Sequence, residues 1–86
     1  MAKGTIRYWA AAKAAAGVGE EPYDAVTLAD ALAEAARQDG RDGHFRRVVE
    51  RSAFLVDGDP VGGRPHGAIA LPEGGVVEVL PPFAGG

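Results

Sequence analysis

The chain contains no cysteine and, across 86 residues, only one serine, two histidines and one tryptophan. Without cysteine there is no disulfide, no thiolate metal site and no cysteine nucleophile. Any sulfur chemistry would have to use an atom other than a side-chain thiol. Ser52, in "ERSAF", lacks the glycine-flanked elbow that exposes a nucleophile and reads as a helix-to-strand boundary. His44 and His66 lie far apart, without carboxylates at ligand spacing, so they read as loop residues and no metal site is expected. "GVGEEP" and "GGRPHG" complete neither a dinucleotide nor a phosphate-loop motif and read as turns. No nucleophile, acid–base pair or metal set emerges, so a self-contained enzyme is not expected. Long apolar runs are missing too: "AAAKAAAG" is too short and interrupted to cross a bilayer. "MAKGTIRYW" reads as the approach to a strand rather than a secretory leader. The expectation is a soluble, cytoplasmic protein with no membrane partner. A net charge of −3 gives no reason to expect nucleic acid as one either.

What is present fits one small domain, which buries roughly 60–65% of its unfolded surface. Thr5-Ile6-Arg7-Tyr8-Trp9 alternates and predicts a strand, with Ile6 and Tyr8 on one face and Arg7 and Trp9 on the other. Ala10 to Ala16, closed by Gly17, predicts a short helix. Glu20 to Ala25 follows as a second strand. Leu28, Ala31, Leu32 and Ala35 have helical spacing, with Thr27 as the cap, Asp30 three residues on and Gly40 as the stop. Asp42 caps a shorter helical piece striped by Phe45, Val48 and Val49. Ala53–Val56 reads as a strand before the "DGDP" turn, and Val61 begins a short edge strand. Val76–Leu80 is the last strand, with Val77 and Val79 facing one way, and Pro81-Pro82 ends it. The order implies an α+β, β-grasp (ubiquitin-like) arrangement, a mixed sheet covered on one face by one main helix.

Two features carry two readings each. Arg46, Arg47 and Arg51 form either a solvated helix face or a patch for an acidic partner. Trp9, with Val76 and Leu80 on the same sheet face, is either covered by the short helix or the Arg46 segment, or exposed as a partner surface.

The end of the chain, "LPPFAGG", offers the remaining reactive group. Glycine has no Cβ, so an extended Gly85-Gly86 can thread a narrow channel. The Gly86 carboxylate could attack the α-phosphate of ATP to give an acyl-adenylate, and a sulfur donor could displace AMP to leave a thiocarboxylate. Pro81-Pro82 would stiffen the base of such a tail. The expected division is a domain over residues 1–80 and a flexible tail over 81–86.

The stretches "RYWAAAKAAAG", "TLADAL", "LVDGDPV" and "EVLPPFAGG" resemble the ThiS/MoaD family of sulfur carriers, most of all the small subunit of molybdopterin synthase. The resemblance spans nearly the whole chain, and the Gly-Gly end is its most specific part. It implies that Gly86 carries the adenylate and then the thiocarboxylate. Gly85, Ala84, Phe83, Pro82 and Pro81 would insert into a large catalytic synthase subunit and, separately, into an E1-like adenylating enzyme. A sulfurtransferase or desulfurase would supply sulfur. ATP would be used by the adenylating enzyme, with no cofactor bound to the chain itself. Trp9 and Leu80 match apolar partner contacts, as does Pro60 or Val61. Lys13 stands where the family often has arginine, without its bidentate geometry. Phe83 departs from the smaller residue common at that position. The implied role is sulfur donation in molybdenum cofactor synthesis. Thiazole synthesis, cysteine synthesis, tRNA thiolation and a plain β-grasp binding module remain alternatives.

Overall fold

The computed structural model describes residues 1–82. The strands are β1 (Ala2–Tyr8), β2 (Glu20–Ala25), β3 (Ala53–Val56), β4 (Asp59–Pro60) and β5 (Val76–Leu80). Helices α1 (Ala10–Ala16), α2 (Leu28–Ala36) and α3 (Gly43–Glu50) and a 3-10 turn (His66–Ala68) lie between them. The sheet order is β2-β1-β5-β3-β4. Only β1 and β5 run parallel, and every other neighbour is antiparallel. This mixed sheet with helices on one side is a β-grasp fold, as the sequence order implied.

Alternation decides which face the helices cover. Ile6 and Tyr8 of β1, Tyr23 and Ala25 of β2, Phe54 of β3 and Val77 and Val79 of β5 are buried in one core. The same core takes Ala12 of α1, Leu28, Ala31 and Ala35 of α2, and Phe45 and Val49 of α3. The cover is thus shared among three short helices rather than supplied by one. Thr27 Oγ1 accepts from the Asp30 N–H, and Asp42 Oδ1 accepts from the His44 N–H, so both expected caps form. Helix α2 ends at Ala36, short of Gly40.

Two boundaries differ from the pattern. β1 starts at Ala2, three residues before the alternation becomes clear. The last short strand is Asp59–Pro60 rather than one beginning at Val61. Asp57 and Gly58 take φ of 49° and 84°, so two residues complete the hairpin turn and Asp59 already re-enters the sheet. Val61 follows as a buried residue whose N–H donates to the Phe54 carbonyl.

One buried ion pair ties the helix ends together. Arg41, in the α2–α3 turn, bonds both carboxylate oxygens of Glu21 at 2.6 and 3.0 Å. The same guanidinium donates to the Ala16 carbonyl at the end of α1 and the Ala35 carbonyl near the end of α2. It lies 4.8 Å from the Phe45 ring centre, and Tyr8 Oη donates to Glu21 Oε2. The Arg41 side chain is only 5% exposed.

Removing half of a buried pair leaves the other charge uncompensated. Arg41→Met therefore lowers unfolding free energy by about 3 kcal/mol in urea titrations, and adding Glu21→Met recovers much of the loss. Burial, together with the Glu21 carboxylate, pushes the Tyr8 phenol well above its ordinary range, and burial raises Tyr23 as well. Both groups are held neutral by folding, so their contribution is intact below the unfolded tyrosine value. It is lost as pH rises above about 10. The urea midpoint is expected to fall between about pH 9 and about pH 11, and less steeply in Tyr8→Phe.

Candidate functional site

Residues alternate out of the core along each strand, and the outward set forms a continuous face. Register aligns Glu20, Arg7, Glu78, Leu55 and Pro60 in one row across all five strands. Pro22, Thr5 and Val76 form the neighbouring row. On the other side Leu80 pairs with Ala53, and the Trp9 N–H donates to the Val79 carbonyl at 3.2 Å, extending the β1–β5 ladder by one step. Trp9 thereby sits at the end of β5, beside the point where the chain passes into Pro81 and Pro82.

Trp9 is 45% exposed while Tyr8, one residue earlier, is 2% exposed. The alternative in which the short helix or the Arg46 segment covers Trp9 is therefore ruled out. Ala10 follows it with φ of 48°, a left-handed conformation that favours glycine. This turn sends the chain directly from strand into α1 and leaves the indole on the outer face. The indole Nε1–H donates to Glu78 Oε2 at 3.2 Å. Leu80, Val76 and Leu55 on the same face are half-buried, and Pro60 is exposed on the edge strand.

The other candidate positions separate by accessibility. Lys13 is exposed on α1, and its N–H bonds the Trp9 carbonyl, which places it one turn from the indole. Of Pro60 and Val61, only Pro60 is available to a partner, because Val61 is 2% exposed and belongs to the core. Pro81 is buried and Pro82 exposed. Phe83, Ala84, Gly85 and Gly86 lie outside the described residues.

The remaining polar residues assemble no centre. Arg46, Arg47 and Arg51 are exposed, and among the described residues the only ion pair is Arg41–Glu21. His44 lies in the first turn of α3, and His66 packs edge-on to Phe54 at 4.9 Å. Ser52 Oγ donates to the Val48 carbonyl at the α3–β3 junction, as its boundary position implied. No group of metal-ligating side chains occurs among the described residues. No described helix is long and apolar enough to cross a membrane. Glu78 carries no motif of its own, although its place between Val77 and Val79 puts it on the same face as Trp9. Arg41 gave no such signal, because its partner Glu21 is 20 residues away.

Comparison with known proteins agrees with this geometry. A family model described as the ThiS family matches residues 6–86. Small archaeal modifier protein 1 from Methanosarcina acetivorans superposes with a TM-score of 0.80 at 20% identity, covering 100% of this chain and 98% of that one. A protein assigned as subunit 1 of molybdopterin-converting factor from Pyrococcus furiosus gives 0.75 at 24% identity, over 96% and 100% of the two chains. A complex of subunits 1 and 2 of molybdopterin-converting factor from Helicobacter pylori gives 0.69 at 17% identity, over 98% and 99%. At these identities the structural likenesses establish the fold. No curated protein matches the chain.

The two sides of one strand are expected to answer differently to truncation. Trp9→Ala changes unfolding free energy by less than about 1 kcal/mol, since the ring is largely outside the core. Tyr8→Ala costs about 3–5 kcal/mol, as for other buried aromatics. Trp9 fluorescence in the free chain is expected to be red-shifted and open to acrylamide quenching.

Proposed function

The chain belongs to the ThiS family, and on that premise we propose that it is a sulfur carrier for molybdopterin synthesis, acting as the small subunit of a two-part synthase. The carrying observation is the family match, which runs from β1 through the "AGG" end. The Gly86 carboxylate, free at the end of the chain or freed by processing, attacks the α-phosphate of ATP, and pyrophosphate leaves. A sulfide equivalent delivered by a sulfurtransferase or desulfurase then attacks the acyl carbon and AMP leaves, giving the thiocarboxylate. Sulfur passes to the pterin precursor, and hydrolysis returns the carboxylate.

The chain's own contribution is positioning. An E1-like enzyme supplies the adenylation chemistry and the large subunit supplies the side chains for sulfur transfer. Likeness to subunit 1 in the subunit 1–2 complex supports a large-subunit partner. The outer sheet face, with Trp9 and Leu80 beside the root of the tail, is a surface such a partner can grip. Pro81 and Pro82 set the direction of departure, and Gly85-Gly86 are small enough for a narrow channel. The reaction places the chain in the cytoplasm, with ATP and the adenylating enzyme.

Likeness to the small archaeal modifier protein favours one second reading. In it the same Gly86 adenylate is attacked by a protein amine, forming an amide instead of a thiocarboxylate.

Intact mass spectrometry separates these outcomes. After incubation with ATP, the cognate adenylating enzyme and a sulfur source, the C-terminal peptide is expected to exchange one oxygen for sulfur. Deleting Gly85 and Gly86 abolishes the exchange and leaves the thermal midpoint unchanged. Amide-linked adducts without sulfur exchange would favour the modifier reading, and an unaltered mass throughout would exclude both.

A further inference from the structure

The outer face has one charge too many. Its cations are Lys3 and Arg7 on β1, and its anions are Asp24 and Glu20 on β2 and Glu78 on β5. Lys3 faces Asp24 across the β1–β2 ladder, and Arg7 faces Glu20. Arg7 is one cation set between two carboxylates, Glu20 and Glu78, so its row carries a surplus negative charge. Arg7 also neighbours Glu78 in register, yet no Arg7 ion pair forms among the described residues. The Trp9 indole instead holds Glu78 Oε2.

The surroundings make the surplus consequential. Glu78 is flanked by Val76 and Leu80 along β5, by Leu55 on β3 and by Arg7 on β1, with the Trp9 indole on its carboxylate. A protein that covers those side chains must also cover the carboxylate. Desolvating an ionised carboxylate that makes no ion pair is expensive, and one indole N–H at 3.2 Å satisfies only one oxygen. An apolar partner surface alone would therefore be rejected.

We propose that Glu78 is a specificity-determining residue: the large synthase subunit that docks on this face presents a lysine or arginine to the Glu78 carboxylate, beside the apolar side chains of Trp9, Leu55 and Leu80. This inference rests on the carrier-subunit reading above. Trp9 acts in two ways, as apolar contact and as the donor that fixes the carboxylate in the centre of the patch. Selectivity follows from the mismatch cost, because a surface with a neutral or acidic group opposite Glu78 leaves a buried charge unpaired.

The test is calorimetric titration of the full chain into the cognate large subunit at several salt concentrations. Glu78→Gln keeps the indole acceptor and removes the charge, and it is expected to weaken binding about tenfold and flatten the salt dependence. Glu78→Arg is expected to weaken it at least about 100-fold, since a like charge then meets the partner's cation. Circular dichroism melts of both variants should match the unaltered chain, as Glu78 lies outside the core. If both variants bind as tightly as the unaltered chain, the role of Glu78 is overturned while the carrier-subunit reading stands. If the unaltered chain does not bind the large subunit, the reading itself fails, and this inference with it.

Discussion

A single guanidinium joins the three helices to the sheet. None of the three helices exceeds nine residues, and helices this short are unstable alone in water. Arg41 supplies what they lack: it takes carbonyls near the C-terminal ends of α1 and α2, both oxygens of Glu21 on β2, and the Phe45 face of α3. Four elements meet at one planar group, a geometry that lysine cannot reproduce. Burying the charge is tolerable because every hydrogen-bonding side is used, and no buried side-chain polar atom is left unsatisfied among the described residues.

With the helices pinned on one side, the other side of the sheet is left to solvent. Space at the edge of the core is also managed by absence. A Cβ on Gly4 would collide with the Tyr23 ring, and one on Gly75 would collide with Pro72. Those two glycines let Tyr23 lie flat across β1 and donate to the Pro72 carbonyl, closing the loop that leads into β5. Asp57 holds the same strand from the opposite flank, its Oδ1 accepting from the Val76 N–H. The strand that carries the tail is therefore anchored at its start by two loops and at its end by the Trp9 backbone.

Local signals in the sequence reached a long way, and their failures share a cause. β2, β3 and β5 lie where turn signals and apolar runs put them, and Thr27 and Asp42 cap their helices, because these features depend on near neighbours. β4 was displaced because "DGDP" was read as one turn, whereas the left-handed Asp57-Gly58 pair is itself the turn and Pro60 is tolerated on an edge strand. Arg41 sat unnoticed in a polar turn, since its value lies in contacts distant in sequence. At the candidate site, the period of two found Trp9, Leu80 and the exposed face. It also contained Glu78, which drew no notice because a charge between two valines looks like an ordinary outward residue. Burial then divided Pro60 from Val61, which adjacency in sequence could not do.

The sheet edges explain why the broad face, rather than a free strand, is the surface left for recognition. An exposed edge strand invites pairing with another chain. Here one edge, β2, carries Pro22 in mid-strand, and the other, β4, has only two residues, one of them Pro60. Both edges are poor templates for backbone pairing. The outer face is protected differently, by setting Arg7, Glu20 and Glu78 in a row through its apolar side chains. Charges so placed add a desolvation cost to any stacking of two copies. A partner covering this face would have to match the same charges.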